Sequence, residues 1–321
     1  MLKNKINRST DIAIIGGGPA GLSAGIYAAL DNTNFLLIEE KESCWFSKEA
    51  VNSHYYVDGF TGTTDKTTGA DLQKAFLKHY ERLGGKFLKE KVTVLDKNDN
   101  LFIIDTDYSI ITAKAVIFAN GTTPRDLDVK DAEKFATHIH YYCTINGLEY
   151  KNKEVLVLGG RNSGAVAACY LDDLGCQVTL LELKDKIQAK EKYQKNISKR
   201  KIKVITNSEL ISLEGEKGLQ KGIVKNLQSN GLIEIPCQAV FVYIGRKPDN
   251  DFIKFDLKKD GQNYLIVDYF NQTSVVGFFA AGDATCKLKQ IITACGDGAN
   301  AYYFAKKFID GELKGDKIST F

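Results

Sequence analysis

Three things are missing from this 321-residue sequence, and each removes a class of function. There is no surplus of charge. The 43 basic and 40 acidic side chains leave a net +3, too balanced to expect a nucleic-acid or membrane-surface protein. The Lys-rich stretch Lys184 to Lys203 is mixed with Asp and Glu and reads as a solvated face. There is also no uninterrupted membrane span. Ile12 to Leu30 carries no charge and is long enough to imitate one, yet Gly16-Gly17-Gly18-Pro19 would break such a helix. The run lacks the layout of a signal peptide, so the expectation is a cytoplasmic protein. Finally, there is no close pair of cysteines. Cys44, Cys143, Cys169, Cys176, Cys237, Cys286 and Cys295 come no nearer than the seven positions between Cys169 and Cys176. Neither a disulfide framework nor a structural metal site is expected.

What is present is a repeat. Gly16-Gly17-Gly18-Pro19-Ala20-Gly21 follows the apolar run Ile12 to Ile15, and Gly159-Gly160-Arg161-Asn162-Ser163-Gly164 follows Val155 to Leu158. The first glycines are 143 residues apart, as are the acids that follow each copy, Glu39 and Glu182. In such a fingerprint the first glycine permits the tight strand-to-helix turn. The second lets a pyrophosphate approach bare backbone at the helix N-terminus, and the third lets helix and strand pack closely. Copy one is complete, with Glu39 placed to accept hydrogen bonds from an adenosine ribose. Copy two has Arg161 in place of its middle glycine.

Composition, with 44% apolar and 26% charged residues, is that of a soluble globular chain long enough for two domains. Strand and helix signals alternate as βαβ units, which implies parallel sheets covered by helices. The first fingerprint helix is expected over Ala20 to Leu30 and the next strand over Phe35 to Ile38. An aromatic loop from Cys44-Trp45-Phe46 to His54-Tyr55-Tyr56 comes next. A helix over Asp71 to Leu83 follows, with Leu72, Ala75, Phe76 and Tyr80 on one face. Val92 to Leu95, Leu101 to Asp105 and Ser109 to Thr112 read as an antiparallel meander, and Ala115 to Ala119 as a buried strand ending in Asn120-Gly121. After the second fingerprint the order repeats. A helix spans Ser163 to Leu174 and a strand Val178 to Leu181. A second meander is expected from Val204-Ile205, Gly222 to Leu227 and Ile233 to Ile235, and a closing strand from Ala239 to Ile244. The tail holds Gly277-Phe278-Phe279-Ala280-Ala281-Gly282-Asp283 and a terminal helix over Gly296 to Phe308. The expected fold is α/β, with two Rossmann-like three-layer nucleotide-binding domains, each carrying a small antiparallel meander. The second domain, 122–247, is inserted into the first, 1–121 and 248–321.

At this point the chain resembles the low-molecular-weight thioredoxin reductase family of flavoproteins over nearly its whole length. The matching residues are Gly16-x-Gly18-x-x-Gly21 with Glu39, Ala119-Asn120-Gly121, Tyr243-Ile244-Gly245-Arg246-Lys247-Pro248, Ala281-Gly282-Asp283, Lys289-Gln290-Ile291 and Gly296-Asp297-Gly298. The resemblance implies FAD in the first domain, held by Gly16, Gly18, Pro19, Ala20, Gly21 and Glu39, with Val92, Asn120, Gly121 and Gly282 alongside. Asp283 would hold the ribityl chain, and the Gln290-Ile291 backbone would face the pyrimidine end of the flavin. A nicotinamide domain and a homodimer are also implied.

Three departures qualify that match. The family carries its redox disulfide in a Cys-x-x-Cys-Asp-Gly segment before the second fingerprint. Here the segment reads Tyr142-Cys143-Thr144-Ile145-Asn146-Gly147, and dithiol exchange needs both thiols. Arg161 occupies the space where a pyrophosphate would touch backbone, either blocking it or, swung outward, clamping a phosphate. The basic cluster that selects NADPH falls on Glu182-Leu183-Lys184 and Gln188, so no arginine pairs with a 2′-phosphate and Glu182 repels it. NADPH is thereby excluded; a bound nicotinamide would be NADH. Gly159, Arg161, Gly164 and Glu182 therefore read as a degenerate second nucleotide site.

Other residues carry two readings each. Cys295, placed just ahead of the expected terminal helix, is either a thiol activated by that helix or a small buried residue. His138, His140, Tyr141 and Tyr142 are either proton donors and flavin contacts or interdomain packing. The resemblance puts Tyr55 near the isoalloxazine. The leading expectation is an FAD-dependent oxidoreductase that works without a dithiol or NADPH and passes electrons at the flavin to or from ferredoxin or flavodoxin. Ferredoxin–NADP reductases of this scaffold also lack the dithiol, and His140-Tyr141-Tyr142 is similar to their corresponding segment. They keep an NADPH site, however, and the tail after Gly311 is short here. The alternatives are an NADH-using reductase of a quinone or oxygen, and a flavoprotein that binds FAD as a structural or sensing ligand.

Overall fold

The structure is a computed structural model that describes residues 5–40, 57 and 59–313. The chain forms two compact units, Met1–Thr123 with Lys247–Phe321, and Pro124–Arg246.

The sheet of the first unit is built on two long neighbours, Ile6–Ile15 and Ser109–Phe118, paired in parallel from Ile6 opposite Ser109 to Ile15 opposite Phe118. Phe35–Ile38 and then Phe87–Leu88 extend it on one side, and Leu101–Thr106 and Val92–Asn98 extend it antiparallel on the other. Phe278–Ala280 pairs in parallel with the end of Ser109–Phe118. The sequence suggested separate strands over Ser109 to Thr112 and Ala115 to Ala119. They are one strand, because Ala113-Lys114 holds no turn residue and the equally long Ile6–Ile15 lets the ladder run on. The meander is thus continuous with the parallel sheet.

Alternation along Ile12–Ile15 fills both faces. Ile12 and Ile14 pack with Leu22, Ala24, Ala301 and Tyr302 under helices Pro19–Leu30 and Ile291–Ile309. Ala13 and Ile15 pack with Val116, Phe118, Phe278 and Leu265 on the other side. The terminal helix begins at Ile291 rather than near Gly296. Gln290 and Thr293 close a reciprocal capping box there, which overrides the poor helix propensity of Ile291, Ile292, Thr293 and Gly296.

The second unit has an all-parallel sheet in the order Lys203–Ile205, Gln177–Leu181, Glu154–Leu158, Ala239–Val242, Ile139–His140. Val204-Ile205 is therefore an edge strand of this sheet and not part of the meander, as the sequence had suggested. Asn207, at φ +49°, separates it from the true first meander strand, Ser208–Glu214. That strand pairs with Lys221–Asn226, which pairs with Leu232–Pro236. A register shift between Leu210 and Ser212 spoils the alternation that would have revealed it. The meander covers one face through Leu156, Leu210 and Val224. Helix Asn162–Asp173 covers the other through Val157, Ala165 and Ala168. Within the Lys-rich stretch, Glu191–Ser198 is an exposed helix anchored by buried Ile197. No described helix is long and apolar enough to cross a membrane.

Candidate functional site

Both fingerprint turns fold the same way, atom against atom. Gly16 sits at φ +103° and Gly159 at φ +102°, a region that disfavours any side chain. A Cβ on Gly16 would lie 2.4 Å from the Ala119 carbonyl oxygen, and one on Gly159 would lie 2.4 Å from that of Tyr243. A Cβ on Gly21 or Gly164 would fall 1.8 Å from the carbonyl oxygen of Gly16 or Gly159. These four glycines are demanded by the protein's own backbone, with or without a ligand.

The middle position is different. Gly18 has φ −72° and ψ −173°, and Arg161 has φ −82° and ψ 179°. Both are extended backbone open to any residue. Backbone conformation does not require glycine at Gly18, and bare backbone there suits what approaches the turn. Gly18 caps helix Pro19–Leu30 with no side-chain hydrogen bond and with no acid in the first turn. Bare first-turn N–H groups and the helix dipole suit a phosphate there. Arg161 likewise caps its helix with its backbone alone, and its exposed side chain extends from the turn.

The two acids are also placed alike. Glu39 Oε2 accepts from the Gly17 N–H at 2.6 Å, and Glu182 Oε2 accepts from the Gly160 N–H at 2.6 Å. Both carboxylates are buried. This explains a glycine in each copy that the fingerprint does not ask for. A Cβ on Gly160 would stand 2.7 Å from Glu182 Oε2, and one on Gly17 would stand 3.2 Å from Glu39 Oε2. The paired Gly-Gly at one offset was the signal in the sequence for this contact. Glu182 Oε1 also accepts from the Lys184 N–H. The segment after it folds back on the turn, where Gln188 N and Ala189 N both donate to the Gly160 carbonyl and Lys190 N donates to Asn162 Oδ1. That clasp was not foreseen. Leu183 and Gln188 are exposed beside it.

The remaining residues expected at FAD lie in the first unit. Val92 starts strand Val92–Asn98 and is half-buried. Asn120 turns its amide to the Asp249 carbonyl, at 3.0 Å, and Gly121 follows at φ +67°. Gly282 and Asp283 form a one-turn helix after strand Phe278–Ala280. Gln290 caps the terminal helix, and Ile291 is its first residue. The glycine cradle, the uncapped helix start and the buried acid fit a dinucleotide such as FAD.

Cys295 lies inside the terminal helix rather than ahead of it. Burial pushes its thiol up, against a hydrogen bond with Ser23 that pulls the other way, so the reading as an activated thiol loses its basis. His140 is buried within the second unit, with Nε2 2.9 Å from the Tyr150 hydroxyl and its ring against Phe241. Burial holds it below the ordinary histidine value. Tyr141 accepts from the Leu127 N–H, and Tyr142 caps the one-turn helix Cys143–Asn146. Tyr55 and Cys44 lie outside the described residues. Among the described residues no group of three or more His, Cys, Asp or Glu could hold a metal ion.

Residues 10–298 match the pyridine nucleotide-disulphide oxidoreductase family. A 34.2 kDa protein in the rubredoxin operon of Clostridium pasteurianum is 32% identical over 312 residues, 96% of this chain and 100% of that protein. The solved thioredoxin reductase of Lactococcus lactis is 30% identical, with a TM-score of 0.85 over 95% of this chain and 100% of that one. A ferredoxin-flavin thioredoxin reductase from Clostridium acetobutylicum is 26% identical, with a TM-score of 0.51 over 95% and 98% of the two chains. With two fingerprint turns on paired Rossmann-like units and nearly its whole length matched, the chain belongs to the pyridine nucleotide-disulphide oxidoreductase family and is a thioredoxin reductase-like, FAD-dependent oxidoreductase.

Proposed function

We propose that this FAD-dependent oxidoreductase works without a dithiol and without NADPH, exchanging electrons with a protein carrier such as ferredoxin or flavodoxin. The segment where the family places its redox disulfide carries the reading. Its single cysteine, Cys143, is 3% exposed, and its N–H donates to the Tyr243 hydroxyl. Tyr142 and Ile145 stand where the two thiols belong. A buried thiol with no second thiol on its segment cannot exchange disulfides with a substrate.

In this reading the first unit, with 1–121 and 248–321 as its sequence limits, holds FAD at the residues named above. The second, 122–247, is a degenerate nicotinamide domain in which Arg161 and Glu182 oppose NADPH. The flavin supplies hydride or single-electron chemistry, and the chain's part is to bind and orient it. Two relatives support a small protein carrier, one named for ferredoxin and one for a rubredoxin operon. A homodimer in the cytoplasm completes the reading. A second reading rests on Glu182, whose carboxylate is held like that of Glu39 and could accept from a ribose. This would be an NADH-dependent reductase of a quinone or oxygen.

Anaerobic mixing with reduced ferredoxin, NADH and NADPH separates these, with flavin absorbance as the readout. Equilibration with ferredoxin alone is expected. Rapid bleaching by NADH would favour the second reading, and bleaching by NADPH would overturn the assignment of Glu182 and Gln188. Inertness to all three, with FAD tightly held, would point to a structural or sensing flavoprotein. If Arg161 is the block, Arg161→Gly gains reduction by NADH.

A further inference from the structure

The Gly282-Asp283 turn is held from both sides by side chains, of which only Asp297 belongs to the residues that carry the family match. On one side, Asn271 is fully buried at φ +60°. Its amide donates to the Ala280 carbonyl at 2.8 Å, and its own carbonyl accepts from the Ala280 N–H at 2.9 Å. On the other side, Asp297 Oδ2 accepts from the Gly282 N–H at 3.3 Å, while the Thr285 hydroxyl donates to the Gly282 carbonyl at 2.9 Å. Lys287 links the two sides. Its Nζ donates to Asp297 Oδ1 at 2.9 Å and to Asn271 Oδ1 at 3.0 Å, where Asn300 also donates.

This ion pair differs from the surface pairs of the chain. The Asp297 side chain is only 13% exposed, whereas both partners of Lys195–Glu191 are largely in water. An ammonium presents several donors from one atom, so Lys287 can bind both acceptors at once. An apolar residue there would leave Asp297 with a nearly buried charge and no cation, beside the one N–H it orients. Asp297 stands in the second turn of the terminal helix and Asn271 in the loop before strand Phe278–Ala280. Lys287 therefore ties together the two elements between which Gly282 and Asp283 are presented.

We propose that Lys287 is a positioning residue for FAD, acting as a cation through Asp297 and Asn271 to fix the Gly282-Asp283 turn. The proposal rests on that turn belonging to the FAD site. FAD dissociation from the full-length holoprotein, read by flavin fluorescence on dilution, tests it in the wild type, Lys287→Met, Lys287→Arg, Asp297→Asn and the Lys287→Met/Asp297→Asn double variant. Loss of a charge-assisted hydrogen bond predicts that Lys287→Met binds FAD about tenfold more weakly. Lys287→Arg keeps most of the affinity. The double variant is no weaker than the poorer single one, because the two groups act as a unit. Melting of the FAD-free protein falls in Lys287→Met, where Asp297 keeps its charge without a cation, and recovers in the double variant, whose FAD affinity stays low. Unchanged affinity in Lys287→Met, additive losses, an Arg variant as weak as the Met variant, or FAD affinity that recovers together with FAD-free melting in the double variant would overturn the proposal. A wild-type protein that retains no FAD would overturn the cofactor assignment beneath it. If Lys287→Met does not fold, Asp297→Asn carries the test, since its amide oxygen still accepts from Gly282.

Discussion

At Gly16 and at Gly159 the chain turns through φ +103° and +102°, and the third glycine of each copy would drive a Cβ to 1.8 Å from the first one's carbonyl. A carboxylate is held 2.6 Å from the N–H after the first glycine in both turns. The copies part at the middle position, Gly18 in one and Arg161 in the other, where the backbone is extended and accepts either residue. The comparison separates two kinds of glycine. Those that the backbone contacts demand persist in both copies. The one whose backbone conformation any residue can adopt differs in the second. A Rossmann unit can thus keep its fold while its ligand face changes.

The largest effect that could break this comparison is expected where the copies are most alike. Gly21→Ala and Gly164→Ala should each cost on the order of 3 kcal/mol or more in chemical denaturation, since only backbone movement relieves the contact. Gly21→Ala should release FAD and Gly164→Ala should retain it; equal FAD loss from both would abolish the division between the units. Next is the exchange of the distinguishing residue. Gly18→Arg should leave the melting of FAD-free protein unchanged while weakening FAD by about a hundredfold or more, because the side chain enters the phosphate's approach. Copurification of that variant with FAD would move the distinction elsewhere.

A smaller difference is expected at the acids. Glu39→Gln removes a charged acceptor and should weaken FAD by about 2 kcal/mol, while Glu182→Gln should leave FAD affinity untouched. A fall in both, by fluorescence titration, would show that the second acid also serves the flavin. The last effect concerns the second unit alone and is absent at neutral pH. Burial pushes the Cys237 thiol from its ordinary 9.0 up to about 12. The unfolded chain therefore loses this proton before the folded one does. The stabilisation is complete below pH 9 and declines from there towards pH 12, by about 1.4 kcal/mol per pH unit. Denaturation curves across that window should flatten in Cys237→Ala, and an unaltered slope would assign the alkaline loss to other groups.

Much of the fold was legible because its signals are local. The strand, the glycine turn, the helix and the acid each announce themselves within a few residues, and the repeat at one offset confirms them together. Residues whose placement depends on distant partners were not legible. Val204-Ile205 has the same local pattern whether it pairs in a meander or in a parallel sheet, and only Gln177–Leu181 beside it decides. The start of the terminal helix was hidden because β-branched residues fill its first turn. At the candidate site, the glycines and acids could be read from spacing. The ties of Lys287 to Asp297 and Asn271 could not, since nothing in their intervals signals contact.

By itself the sequence determined the two nucleotide-type turns, the acids that follow them and the loss of a close thiol pair, because each is a statement about residue type at short spacing. Tertiary structure alone decided that Cys143 and Cys237 are buried, that Glu182 is engaged by the Gly160 and Lys184 N–H groups, and that Cys295 lies within a helix. It also decided which of the fingerprint glycines the backbone itself demands. The same residue type can serve backbone geometry or ligand clearance, and only φ, ψ and the atoms a side chain would meet tell the two apart.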